Sequence, residues 1–339
     1  MKVLVVIPCL NESENLARIA HQMLKDPSCG QLVIADGGSN DGSRQIAERL
    51  AHSDYRVSFL HNPSRIQSAA VNAAVAKHGH EFELFVRIDA HCIYPDGYVT
   101  KLASSWNRTE AASIVVPMDT IGQAGFQKAV AAAQNSWLGN GGSPHRTVSQ
   151  GRYVDHGHHA LMEISAFQHA GGYCEAMIAN EDAELDRRLS DLGYSIYLDP
   201  GSTIRYQPRT NIRSLWRQYL VYGQGRSRTI MRHGMKLKLR QALPLLVPAA
   251  ALLAILTPIS FFFSIPIILY WLAAFSAGVL IGGRAGGGWT RLAGLAAIVM
   301  HAAWGFGFLM ERLRNPSGLP PRHGFSQRER VGRWTGSTG

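Results

Sequence analysis

Leu32-Val33-Ile34-Ala35-Asp36-Gly37-Gly38-Ser39-Asn40-Asp41-Gly42-Ser43 is a short apolar run that ends at an acid and enters a glycine-rich turn. The first four residues predict a strand, and the glycines and Asn40 suit a tight turn with positive φ. Outward from this stretch the pattern alternates. Val3–Pro8 is a β-branched run, and Leu16, Ile19, Ala20, Met23 and Leu24 follow at helical spacing. On the other side, 42–50 reads as helix, 57–60 as strand, 66–77 as helix and 84–88 as strand. Strands alternating with helices predict an α/β fold with a largely parallel sheet. In such sheets ligands gather beyond the carboxyl ends of the strands.

The residues that could carry chemistry do follow strands. Asp36 closes the second one, where an acceptor-only carboxylate can meet imide or ribose donors. The plain alternative is a turn in which Asp41 or Ser43 caps the next helix. Asp89 and His91, two residues apart after the fourth strand, could hold a divalent ion against nucleotide phosphates. Asp155-His156-Gly157-His158-His159 offers a third metal ligand from His158 or His159, or a polar turn, with equal weight. Glu181-Asp182 opens a helical pattern. Acids there complement the helix dipole, or one of them accepts a proton from an attacking hydroxyl. The four cysteines show no paired metal spacing and read as buried hydrophobes.

The chain has 339 residues and a net charge of +10, unevenly placed. Residues 1–200 carry a net −6, whereas 201–240 hold ten basic residues and no acidic one. A nucleic-acid partner for the N-terminal part is therefore excluded. No charge occurs from Ala242 to Ile281, a run about twice the length that crosses a bilayer as a helix. Helices are expected at about 243–262, 265–282 and 292–310, followed by a basic tail at 311–339. The Lys and Arg before the first span place residues 1–205 in the cytoplasm. Three spans would put the tail's Arg residues outside, against the same rule. Ile212, Leu215, Trp216, Tyr219 and Leu220 share one helical face. With the basic residues of 206–240, that face suggests an interfacial amphipathic helix or a surface helix packed on the domain.

These motifs in this order resemble those of family 2 glycosyltransferases with the GT-A fold, over about residues 1–230. Pro8-Cys9-Leu10-Asn11-Glu12 is similar to the family's opening strand and loop. Asp36 to Asp41 resembles its nucleotide-binding turn, with Gly37 where a second Asp often stands. Asn62 to Asn72 resembles its basic loop and helix, with Arg65 in the basic position. Asp89-Ala90-His91 falls where the family has Asp-x-Asp. Gly171-Gly172-Tyr173 and Glu181-Asp182 resemble its acceptor and catalytic-base segments.

The resemblance implies an inverting transferase, with Asp182 as base and Glu181 on the acceptor side. Pro8, Glu12, Asp36, Arg65 and Asp89 would bind the nucleotide sugar, and Asp89 and His91 the metal. Imidazole in place of carboxylate favours Mn2+ over Mg2+. There is no Gln-x-x-Arg-Trp motif after Asp182, which implies transfer of one sugar at a time. Within the family, the likeness is to membrane-tailed glucosyltransferases of succinoglycan assembly at the bacterial inner membrane. It implies UDP-glucose as donor and a polyprenyl-diphosphate-linked acceptor. Arg226 and Arg228 would meet that diphosphate or anionic lipids, and other polysaccharide-assembly enzymes would be partners. The alternatives are an inactive nucleotide-sugar-binding scaffold and a transferase acting on another lipid-linked glycan.

Overall fold

The structure, a computed structural model, describes residues 1–141 and 150–315. They divide into two compact units. The first comprises 1–118 and 150–204, the second 119–141 and 205–315. The expected domain 1–205 is thus interrupted, because 119–141 leaves it and joins the C-terminal helices. Beyond residue 315 the basic tail lies outside the described residues.

The first unit is built on an eight-stranded sheet. Its strands are β1 (Val3–Cys9), β2 (Cys29–Asp36), β3 (Val57–His61), β4 (Leu84–Arg87), β6 (Ser113–Val116), β8 (Arg152–Tyr153), β9 (His158–Glu163) and β10 (Ile196–Leu198). The order is β3-β2-β1-β4-β9-β6-β10-β8. β1, β2, β3 and β4 pair in parallel. β9 runs antiparallel between β4 and β6, so the start of β9 lies at the carboxyl end of β4. That reversal brings the histidine-rich segment to the same edge as Asp89. A short strand β5 (Cys92–Ile93) follows β4, while β7 (Met118–Thr120) and β11 (Ile204–Tyr206) lie where the chain passes between units.

The helices of this unit are α1 (Ser13–Lys25), α2 (Ser43–Ser53), α3 (Gln67–His78), α4 (Tyr98–Thr109), α7 (Ile164–His169) and α8 (Glu181–Asp191). The expected face of α1 is the buried one, with Leu16, Ile19, Ala20 and Met23 inside. Leu4, Val6, Val71, Phe85, Met162, Phe167 and Leu185 form one continuous core between helices and sheet. β1 and β4 are buried almost throughout, as strands covered on both faces must be.

The second unit is helical: α5 (Gly125–Gln134), α6 (Trp137–Asn140), α9 (Ile212–Arg232), α10 (Leu239–Ala242), α11 (Leu246–Ala254), α12 (Ile265–Arg284) and α13 (Ala293–Arg314). The expected helix 243–262 is not continuous. It ends at Ala254, four residues before Pro258, whose ring would clash with the carbonyl at that position. α12 and α13 match the other two expected spans and are long and apolar enough to cross a membrane.

α9 lies along α13, and their backbones meet through glycine. A Cβ on Gly223 would stand 2.0 Å from the Trp304 carbonyl oxygen, and one on Gly307 2.0 Å from that of Leu220. The buried positions of α9 are Leu215, Gly223, Gly225, Ser227 and Thr229. Leu215, Trp216 and Tyr219 of the expected stripe pack into the core of this unit, the small residues continue the contact toward the end of the helix, and Ile212 remains exposed.

Candidate active site

Five of the expected residues line one cleft at the carboxyl ends of β1, β2 and β4. Pro8 comes from the end of β1 and Glu12 from the loop after it, Arg65 from the turn before α3, and Asp89 and His91 from the loop after β4. Gly37, Asn62 and Gln67 complete the wall. Arg65 has φ +58°, a strained value for a side chain of this kind that the surrounding fold must impose. Gln67, at the start of α3, donates to Asp89 Oδ1 at 2.7 Å. His91 is half exposed and its Nδ1 lies 3.1 Å from Glu12 Oε1.

Asp36 behaves differently from the expectation. It is fully buried, and its carboxylate accepts the amides of Gly38 (3.0 Å) and Ser39 (3.2 Å). The group folds its own turn and does not line the cleft. Asp41 takes the amide and hydroxyl of Ser43 at the start of α2, as the capping alternative proposed.

Beside the cleft lies a cluster of buried charge. Asp182, on the first turn of α8, accepts two bonds from Arg87 at the end of β4. Nη1 donates to Oδ1 at 2.7 Å and Nη2 to Oδ2 at 3.1 Å. Glu181 Oε1 is 3.9 Å from the same guanidinium, and Asp89 Oδ1 is 3.6 Å from its Nε. Burial alone would raise Asp182, but the charges of Arg87, His159 and His158 outweigh it and hold the carboxyl far below the usual range. Glu181 is raised, by burial and by the neighbouring charge of Asp182. Neighbouring acids are thus driven apart, a common arrangement where proton transfer occurs.

The three histidines separate into two roles. His159 is buried between Asp186 (Nε2 to Oδ1, 2.7 Å) and the Tyr173 hydroxyl (2.7 Å). His156 Nδ1 lies 3.0 Å from the other Asp186 oxygen. Both are held against Asp186, and His159 also reaches Asp182, its Nδ1 3.3 Å from Oδ1. His158 instead stands between Asp89 (3.6 Å) and Asp182 (3.8 Å), beyond hydrogen-bond length from each. Burial and the Arg87 charge push it down to about 4, so its imidazole is neutral at physiological pH, the form that ligates metals.

A divalent ion fits this donor chemistry. One guanidinium against the carboxylates Asp89, Glu181 and Asp182 leaves the site floor anionic, and neutral His158 adjoins Asp89. Among the described residues no three His, Cys, Asp or Glu side chains enclose an ion by themselves. Donor phosphate oxygens would therefore have to complete the shell.

Arg87, Gln67 and Asp186 were not expected as site residues, while Tyr173, from the expected acceptor segment, bonds Arg87 and His159. Arg87 carried a readable signal, since a charged residue inside the apolar run 84–88 is buried and must be paired. Asp186 lies one helical turn beyond Asp182, on the same face of α8. Arg228 conflicts with its expected role: its fork is engaged by Glu311 at 2.8 and 3.1 Å, inside the second unit.

A parallel sheet with a cleft at its strand ends and a late acidic helix start defines a GT-A sugar-nucleotide fold. Residues 4–171 match the profile of glycosyl transferase family 2, and the chain belongs to that family of transferases. It is 46% identical over 312 residues to the succinoglycan biosynthesis protein ExoA of Rhizobium meliloti (strain 1021), covering 91% of this chain and 94% of that one. It is 26% identical over 258 residues to the pre-mycofactocin glycosyltransferase of Mycobacterium tuberculosis (strain ATCC 25618 / H37Rv), spanning 74% of this chain and about half (51%) of that protein. Among solved structures, the mannosyltransferase PcManGT from Pyrobaculum calidifontis, in complex with GDP-Man and Mn2+, superposes with a TM-score of 0.55 at 14% identity. The match covers 91% of this chain and 86% of that one, a likeness of fold.

Proposed function

We propose that this transferase moves one hexose, glucose from UDP-glucose, onto a polyprenyl-diphosphate-linked acceptor in exopolysaccharide assembly of the succinoglycan type, with inversion. The carrying observation is that Pro8, Glu12, Arg65, Asp89 and His91 line one cleft, while Asp89 and Asp182 both meet the Arg87 guanidinium. Likeness to ExoA over nearly the whole chain supports the pathway, and family membership sets aside the inactive scaffold. Pro8, Glu12, Arg65 and Asp89 hold the donor. Asp182 takes the proton of the acceptor hydroxyl as that oxygen attacks the anomeric carbon. Inversion by direct displacement needs no enzyme nucleophile.

Asp89 and His91 would hold a divalent ion whose shell the donor phosphate oxygens complete, with neutral His158 beside Asp89. When bound, that ion neutralises charge on the departing diphosphate. Imidazole ligands favour Mn2+ over Mg2+. Membrane attachment runs through the apolar outer face of α11 and α12, which exposes Leu252, Leu269, Trp271, Leu272 and Val279. Only 22% of the most apolar stretch of α12 is buried in the protein, against 56% for α13, so α12 is the more lipid-facing helix. Arg226 on α9 serves the acceptor diphosphate or anionic lipid on the cytoplasmic face.

The test incubates membranes carrying the protein with radiolabelled nucleotide sugars and lipid-linked acceptors, with and without Mn2+. Label from UDP-glucose in the lipid fraction, dependent on Mn2+, is expected. Transfer from a different nucleotide sugar would overturn the donor, and undiminished transfer in a chelator would overturn the metal.

A further inference from the structure

Arg87 is unusual in its position before it is unusual in its contacts. It ends β4, a central strand between β1 and β9 whose other residues are Leu84, Phe85 and Val86, all buried. Its side chain is only 3% exposed. A guanidinium in such a place loses hydration that only well-formed partners repay. An apolar residue there would often serve stability as well or better. Fold stability alone therefore gives a weak reason for this charge.

Its contacts give a stronger one. The two terminal nitrogens grip both oxygens of Asp182 side by side, the fork geometry that fixes a carboxylate plane. Nη1 also donates to the Tyr173 hydroxyl at 3.1 Å. Nε has no hydrogen-bond partner among the described residues and lies 3.6 Å from Asp89 Oδ1. One side chain thus reaches from the donor-side carboxylate to the carboxylate assigned to the acceptor.

We propose that Arg87 is the positioning residue of the transfer step, fixing the plane of the Asp182 carboxylate that receives the acceptor's proton. This inference rests on Asp182 being that base. In the step, the acceptor oxygen bonds to the anomeric carbon and its proton passes to Asp182. The bond from that carbon to the diphosphate oxygen breaks, and the electron pair leaves with the diphosphate. Arg87 is not among the residues that line the cleft; it acts through Asp182. A displaced acceptor oxygen or base slows such steps by about a hundredfold per ångström. Lysine cannot replace it, because an ammonium has no planar fork.

The experiment uses the full chain in membranes and a pooled probe of UDP-[14C]glucose, UDP-[14C]galactose and GDP-[14C]mannose, with label counted in extractable lipid. Arg87→Met is expected to lower kcat about a hundredfold with the donor KM within about twofold. Arg87→Lys should recover only part of the rate. In an Asp182→Asn background, Arg87→Met should remove nothing further from the residual turnover. A loss carried by donor KM, or losses that multiply in the double variant, would overturn the inference. If Arg87→Met does not fold, as read by melting, Arg87→Lys decides: unchanged kcat overturns it. Asp182→Asn at wild-type rate would instead sink the base assignment itself. Inactive Asp182→Asn with fully active Arg87→Met sinks the Arg87 proposal alone.

Discussion

The two units bury charge for different ends. In the first, Arg87 gathers Asp89, Glu181 and Asp182 around one guanidinium at the edge of an open cleft. Its surplus of negative charge faces the cleft where a donor and a cation would enter. In the second, Arg228 pairs with Glu311 between α9 and α13. That pair is balanced and joins two helices whose backbones already touch at Gly223 and Gly307. An unbalanced buried cluster suits chemistry, while a balanced buried pair suits registry.

Four measurements can break or sharpen that contrast. The largest effect is expected at Asp182. Asp182→Asn should cut transfer by about 10²–10⁴-fold, with nucleotide binding, followed by titration calorimetry, left intact. A comparable loss of binding would make the acid a structural one.

Next is the balanced pair. Arg228→Ala leaves Glu311, 2% exposed, without its cation, and should lower the stability of the protein in detergent by about 3 kcal/mol. Replacing both partners with Met should restore much of it. If the double variant is as unstable as the single one, the pair does more than join helices.

Gly223→Ala places a methyl against the backbone of Trp304, which cannot swing aside as a side chain could. A loss of about 1–3 kcal/mol in the same assay is expected, with donor KM unchanged in the folded fraction. Wild-type melting would mean that α9 and α13 separate freely.

The smallest effect serves as a surface reference. Asp54 is held below its ordinary value by its hydrogen bonds from Arg56. A depressed carboxylate stabilises the fold above its unfolded value and loses that contribution as pH falls through the folded one. The stability difference between wild type and Asp54→Asn should be about 0.2–1 kcal/mol at neutral pH and shrink below about pH 4. A difference that grows on acidification would contradict the sign.

Much of the site was legible because strand ends are legible. The apolar runs at 3–8, 32–35 and 84–88 carry their own boundaries, so the acids after them had to reach one edge of a parallel sheet. Arg87 was also visible in principle, as a charge within an apolar strand. The roles of the histidines were not. His156, His158 and His159 are close neighbours in sequence, yet two clamp Asp186 and, of the three, His158 is the one that meets Asp89. The antiparallel course of β9 and the alternation of its side chains decide that, and neither can be read from the residues around them.

The sequence by itself determined the alternation of strands and helices, the acidic first half, the apolar second half and two of its three expected long helices. These depend on period and composition, which are local. Tertiary structure alone decided that Asp36 folds its own turn, that Arg228 belongs to Glu311 and that Arg87 holds Asp182. Asp36 takes partners two and three residues away, but the other two are choices among partners far apart in the chain, 83 residues for Arg228 and 95 for Arg87. Packing makes that choice by bringing one partner within bonding distance and leaving the others out of reach.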